Sequence, residues 1–203
     1  MLGIYINKLT QVIGNLMRIT FFYYFLVLLF LPLSLMAEKS ELFLAVEAQD
    51  LTKVKVELAK GANVNEKIEG GFTPLSLASG LKSKEIVTLL VEYGADVQAA
   101  SDFGFGVIHG AAMSKNPEVL KYIISKGGDV NLVTKSSCTP FHSAISNNAL
   151  QNYGSLENAK TLLRHGTKSS VNKKCRGYTP LMVCISSEEV TRFLLENGAA
   201  KKI

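Results

Sequence analysis

One interval recurs along this chain, and few folds can accommodate it. Thr73-Pro74, Thr139-Pro140 and Thr179-Pro180 set a register that passes through Glu41, Pro74, Val107, Pro140 and Pro180, in steps of 33, 33, 33 and 40 residues. One residue after each register position stand Leu42, Leu75, Ile108, Phe141 and Leu181, and four residues after it Ala45, Ala78, Ala111, Ala144 and Cys184. A large and a small apolar residue held at fixed offsets describe helices that stack: the small one lies where backbones approach, the large one fills the layer between units.

Each unit then reaches a Gly: Gly61, Gly94, Gly127, Gly166 and Gly198. Apolar runs such as Leu89-Leu90-Val91 and Leu162-Leu163 precede them, as expected of a second helix that ends on a residue free to take positive φ. At the other end, a Thr hydroxyl can cap the first helix, and Pro at its first position leaves no N–H unsatisfied. The third unit replaces Thr-Pro with Gly106-Val107, so its start is expected to be less firm. The fourth measures 26 residues from register position to Gly against 20 in the second, and the additional six fall in Ser146–Ser155, beside Tyr153. The fifth measures 18, and its outer face is expected to be the weakest part of the array.

A period of about 33 residues headed by Thr-Pro-Leu-(His) resembles the ankyrin repeat. The resemblance covers the chain after its first 37 residues, as five repeats at about 38–70, 71–103, 104–136, 137–176 and 177–203. It implies an all-α solenoid of five stacked helix-turn-helix units with projecting β-hairpin fingers, here Asn63–Gly71, Asp96–Gly104, Asp129–Ser137 and Lys168–Gly177. It also implies a non-catalytic protein-binding module that uses the finger tips and the exposed side of the first helices. Candidate partner-binding residues are Lys67, Glu69, Asp102, Phe103, Phe105, Lys135, Lys173, Lys174 and Arg176. Phe103 and Phe105 are candidate anchors, with tucking under the hairpin as the structural alternative. Lys168, Lys173, Lys174 and Arg176, with Lys201 and Lys202, make this end basic.

The leader has a different composition. Ile19–Leu31 is almost unbroken apolar sequence, flanked by Arg18, broken by Pro32 and followed by Ser34-Leu35-Met36-Ala37 before the first acid, Glu38. This pattern reads as a secretory signal peptide over residues 1–37. An uncleaved anchor helix, and hence a membrane-tethered adaptor, is the alternative, because the run to Ala37 rises about 28 Å as a helix against a hydrocarbon core of about 30 Å. Met17 offers a second start, giving a more compact signal. An exported single-array chain fits a Gram-negative periplasm, with secretion as an alternative, and the module is expected to be a monomer whose partner is another protein.

The formal charge is +5, of which Lys8 and Arg18 in the leader contribute two, leaving an excess too mild to indicate nucleic acid. No Gly-rich phosphate loop, HExxH or G-x-S-x-G occurs, so no enzyme, cofactor or metal site is expected. His109 and His142 occupy the Thr-Pro-Leu-His slot, where the resemblance implies a structural tie; with Gly106 in place of Thr, the tie of His109 is in doubt. Cys184 takes an alanine slot as a buried filler. Cys138 and Cys175 lie near fingers and are expected to be unpaired, a bridge between them being the alternative. A small enzyme using Cys138 or Cys175 with a His is a remote third reading.

Overall fold

Among the described residues ten α-helices follow one another in pairs, and the pairs share the same two lengths except for the shorter first helix of the last one. In the computed structural model, which describes residues 39–146, 155–184 and 188–200, the first helices are α1 (Glu41–Glu47), α3 (Pro74–Gly80), α5 (Val107–Met113), α7 (Pro140–Ser146) and α9 (Pro180–Val183). The second helices are α2 (Leu51–Ala59), α4 (Lys84–Glu92), α6 (Pro117–Ser125), α8 (Leu156–Arg164) and α10 (Glu188–Glu196). Every first helix therefore begins at a register position, and α1, α3, α5 and α7 are seven residues long while all the second helices are nine. The leader, Tyr153, Lys201 and Lys202 lie outside the described residues.

The caps explain the uniform starts. Thr73 Oγ1 accepts from the N–H of Ser76, whose own hydroxyl accepts from the N–H of Thr73. The first four second helices are entered through a polar cap: Asp50, Ser83, Asn116 and Ser155 each accept a backbone N–H two or three residues on. Thr179 departs from expectation, since its side chain makes no capping bond. The terminal glycines Gly61, Gly94, Gly127, Gly166 and Gly198 all have φ between 86° and 97°, where a side chain would be strained.

Stacking follows from the two apolar slots. Leu42, Leu75, Ile108 and Phe141 are fully buried, as are Ala45, Ala78, Ala111, Ala144 and Cys184. First helices pack on first helices, α1 on α3, α3 on α5 and α5 on α7, and second helices follow α2, α4, α6 and α8 in the same order. At Gly110 the approach of α5 to α3 is so close that a Cβ would press on Ser76 O and the Ser79 hydroxyl. One continuous core runs through all five repeats.

The fingers are tighter than β-hairpins. Among the described residues there are no strands, only isolated antiparallel bridges at Ala100–Gly106 and Cys175–Tyr178. The expected hairpins are thus reduced to turns, too short to extend a ladder. Ile68, Ser101 and Thr134 each donate a backbone N–H to the carbonyl four residues on, in Phe72, Phe105 and Cys138. The extra residues of the last finger form a 3-10 turn, Thr167–Val171, that puts Val171 into the core. The insertion is absorbed and Asn172 regains the slot of Asn65. Both asparagines donate to the carbonyl of a helix-ending glycine, Gly94 and Gly198, and accept the N–H two residues beyond it. Among the described residues no helix is long and apolar enough to cross a membrane.

Candidate functional site

Finger to finger, the array is tied by one backbone bond per step. Asp102 N–H donates to Gly70 O, Lys135 N–H to Phe103 O and Arg176 N–H to Ser136 O, at 2.9, 2.9 and 3.2 Å. Histidines add a second tie where they are present. His109 Nδ1 accepts from the N–H of Gly106 at 3.1 Å, so its Nε2 carries the proton and donates to Cys138 O at 3.2 Å. His142 does the same, Nδ1 accepting from Thr139 N–H and Nε2 donating to Lys173 O at 2.8 Å. The loss of Thr at position 106 therefore does not cost His109 its tie, because the backbone N–H of Gly106 is the partner that matters. Burial, ahead of every other influence, pushes both imidazoles below their ordinary value; the bonds to Cys138 O and Lys173 O oppose it.

The third tie is covalent. Cys138 and Cys175 form a disulfide, with Cα atoms 4.4 Å apart, and this corrects the expectation of two unpaired thiols. Different slots in successive repeats do not separate the two residues: Arg176 N–H makes the finger-to-finger bond to Ser136 O, and beside it Cys175 meets Cys138. The bond also removes the nucleophile that the remote enzyme reading required. Cys184 remains a free thiol, buried in the core.

Both half-cystines border strained backbone. Ser137 and Arg176 have φ of 60° and 52°, in the left-handed region. Ser137 occupies the slot that Gly71 and Gly104 fill in the preceding fingers.

On the finger side of repeats three to five lies a cavity of about 470 Å³. It is lined by Phe103, Phe105, Lys135, Arg176, Tyr178 and the cystine, among others. Four of the candidate residues, Phe103, Phe105, Lys135 and Arg176, are thus brought together; Lys173 and Lys174 lie exposed in the same last finger, next to Cys175. Lys67, Glu69 and Asp102 are exposed on the first two fingers and do not line it. The two phenylalanines part company: Phe103 is 63% exposed, whereas Phe105 is half-buried against Phe72 and the His109 ring, with centroids 6.4 and 5.1 Å away. A second groove of about 400 Å³, lined by Phe43, Phe72, Leu77, Leu81, Phe105 and Met113 among others, occupies the finger side of repeats one to three. Its charged residues, Lys39 and Glu47, are paired with each other.

Tyr178 escaped the sequence reading, although a signal for it existed. Two residues before the register positions of repeats two to five stand Phe72, Phe105, Cys138 and Tyr178, while Lys39 stands there in repeat one. From repeat two onward the slot is aromatic except at Cys138, and the cavity lies at that gap.

The family model described as ankyrin repeat matches residues 70–102, and that described as ankyrin repeats (3 copies) matches residues 108–203. The chain belongs to the ankyrin-repeat family. Comparison with curated proteins finds no match. Ankyrin repeats are in general protein-interaction modules and are typically not enzymes.

Proposed function

We propose that this ankyrin-repeat chain is a non-catalytic, monomeric interaction module that acts outside the cytoplasm, in a Gram-negative periplasm, and grips a partner protein on its finger side. The observation that carries the binding face is the cavity of repeats three to five, where exposed aromatics and unpaired cations meet. Exposed aromatic residues and Arg beside a desolvated concavity are the usual anchors of an interface. The address is supported by two independent features: the apolar leader with its small residue at Ala37, and a disulfide, which persists in oxidising compartments and is rare in the cytosol.

The test is affinity capture from the exported fraction with the wild-type chain, Phe103→Ala and Lys173→Glu. The reading requires that Phe103→Ala lose the captured protein. Equal recovery by all three would place the binding face elsewhere. Mass analysis of the protein taken from cells with its thiols blocked checks the address, which requires a molecule bridged at Cys138–Cys175 and lacking residues 1–37.

A further inference from the structure

From repeat two onward the wall of the finger-side groove carries an aromatic ring in every repeat step but one. Phe72, Phe105 and Tyr178 occupy the slot, and Phe72 and Phe105 face each other across a step. At the intervening step the slot holds Cys138, whose side chain carries a single sulfur where the others carry a six-membered ring. Its sulfur is bonded sideways to Cys175, so it does not fill that space. The cavity of about 470 Å³ has the volume of a bound aromatic side chain together with flanking backbone, within the usual size of ligand sites.

Charge decides what accompanies that ring. Lys135 and Arg176 are the charged residues of the lining, His142 being held neutral by its acceptor role at Nδ1. Lys173 and Lys174 stand exposed two and one residues before Cys175. Among the described residues none of these four cations enters an ion pair; the pairs involve other side chains. The first three fingers carry acids, Glu66 and Glu69, Asp96 and Asp102, and Asp129, whereas the last, Lys168–Gly177, carries none, so the row runs from mixed charge to wholly basic. Arg176 is moreover held in a left-handed backbone between the half-cystine and Gly177, and Lys135 is fixed by its N–H bond to Phe103 O.

We propose that the gap at Cys138 receives an aromatic side chain from an acidic peptide segment of the partner, with carboxylates on both sides of that residue engaging Lys135 and Arg176. The inference rests on the finger side being the partner surface. The ring stacks between Phe105 and Tyr178 over the cystine, in the place that the repeat pattern reserves for an aromatic of the chain itself. Lys173 and Lys174 add longer-range attraction, which screening by salt weakens. A basic segment is rejected, because four like charges meet it there.

The test uses the full chain, purified without reductant, and a fluorescein-labelled heptapeptide, Glu-Asp-Glu-Phe-Glu-Asp-Glu, read by fluorescence anisotropy. Replacing its Phe by Ala, or its acids by Lys, is expected to weaken binding at least tenfold in each case. Lys135→Glu with Arg176→Glu is expected to abolish the preference for the acidic peptide. A double variant, Cys138→Phe with Cys175→Ala, refills the wall and is expected to exclude the probe, while Cys138→Ser with Cys175→Ser leaves the cavity open and retains it; circular dichroism checks that each variant keeps its helices. Equal affinity for the Phe and Ala peptides, or for the acidic and basic ones, overturns the proposal. So does binding to phosphatidylserine vesicles that Lys135→Glu with Arg176→Glu removes, without peptide binding, which assigns the cations to a bilayer. Concentration-dependent dimers lost on Phe103→Ala overturn it in favour of a second copy of the chain. If Phe103→Ala loses the captured protein while no peptide preference is seen, the partner surface stands and only the acidic aromatic segment fails.

Discussion

Repeats two and four reach the same helix lengths by different means. Repeat two needs nothing beyond its pattern: Thr73 and Ser76 form a reciprocal cap, Leu75 and Ala78 fill their slots, and 20 residues separate Pro74 from Gly94. Repeat four holds six residues more, yet α7 and α8 keep lengths of seven and nine. Among the described residues, the buried side-chain atoms without a hydrogen-bond partner are Asn158 Oδ1, Thr161 Oγ1 and Thr167 Oγ1, all in this repeat. Orphaned polar atoms of this kind are costly. Asn158 recovers part of the cost by donating to Ala112 O and Ser114 O at the end of α5. The disulfide and His142 then fasten the next finger onto this repeat from the other side. A regular repeat is stable through its neighbours; an irregular one has been given covalent and side-chain ties where the regular pattern lapses.

The largest expected effect tests the regular half. Leu75→Ala empties a fully buried slot and should cost about 2–5 kcal/mol, whereas Leu181→Ala, at the same slot but half-buried, should cost clearly less. Chemical denaturation of both variants checks this, and equal losses would erase the distinction between the two ends. Next in size is the bridge. Reduction, or Cys138→Ser with Cys175→Ser, frees a loop whose ends are 37 residues apart and should cost about 2–4 kcal/mol. Hydrogen exchange read by mass spectrometry should show the loss of protection concentrated in α7 to α10, with α3 and α4 little changed. Uniform loss across all repeats would contradict a local fastener.

Acid should loosen the same region. His109 and His142 are neutral when folded, with values pushed down by burial, while in the unfolded chain they take up protons below about pH 6.5. The unfolded state then binds more protons, so stability is full above that value and falls as the pH drops through it. Each residue contributes a slope of up to about 1.4 kcal/mol per pH unit until its folded form titrates. Urea midpoints between pH 7 and pH 5 measure this, and His109→Gln with His142→Gln should flatten the curve. The smallest effect contrasts two identical residues. Thr73→Ala should cost about 1 kcal/mol through the lost cap, and Thr179→Ala only a few tenths, since its hydroxyl caps nothing.

Much of the candidate site was legible residue by residue, and little of its geometry was. Phe103, Phe105, Lys135 and Arg176 could be named from their place in the fingers, because the 33-residue period locates every finger. That Phe105 turns inward and Phe103 outward depends on the ring of Phe72 and on His109, residues of other segments. Tyr178 sits two residues before Pro180, in the slot of Phe72 and Phe105, but that the ring lines a cavity with Cys138 and Arg176 shows only in the stacked fingers.

Local chemistry was enough to determine the helices: Pro and capping residues start them, glycines at positive φ end them, and apolar residues at fixed offsets bury one side. All of these act within a few residues of one another, so a linear sequence carries them in full. The disulfide was decided only in three dimensions. A 3-10 turn takes up the inserted residues before Asn172, the half-cystines meet between successive fingers, and the cavity beside them is lined by both. Distances across a stack depend on how insertions fold, and spacing along the chain does not fix that.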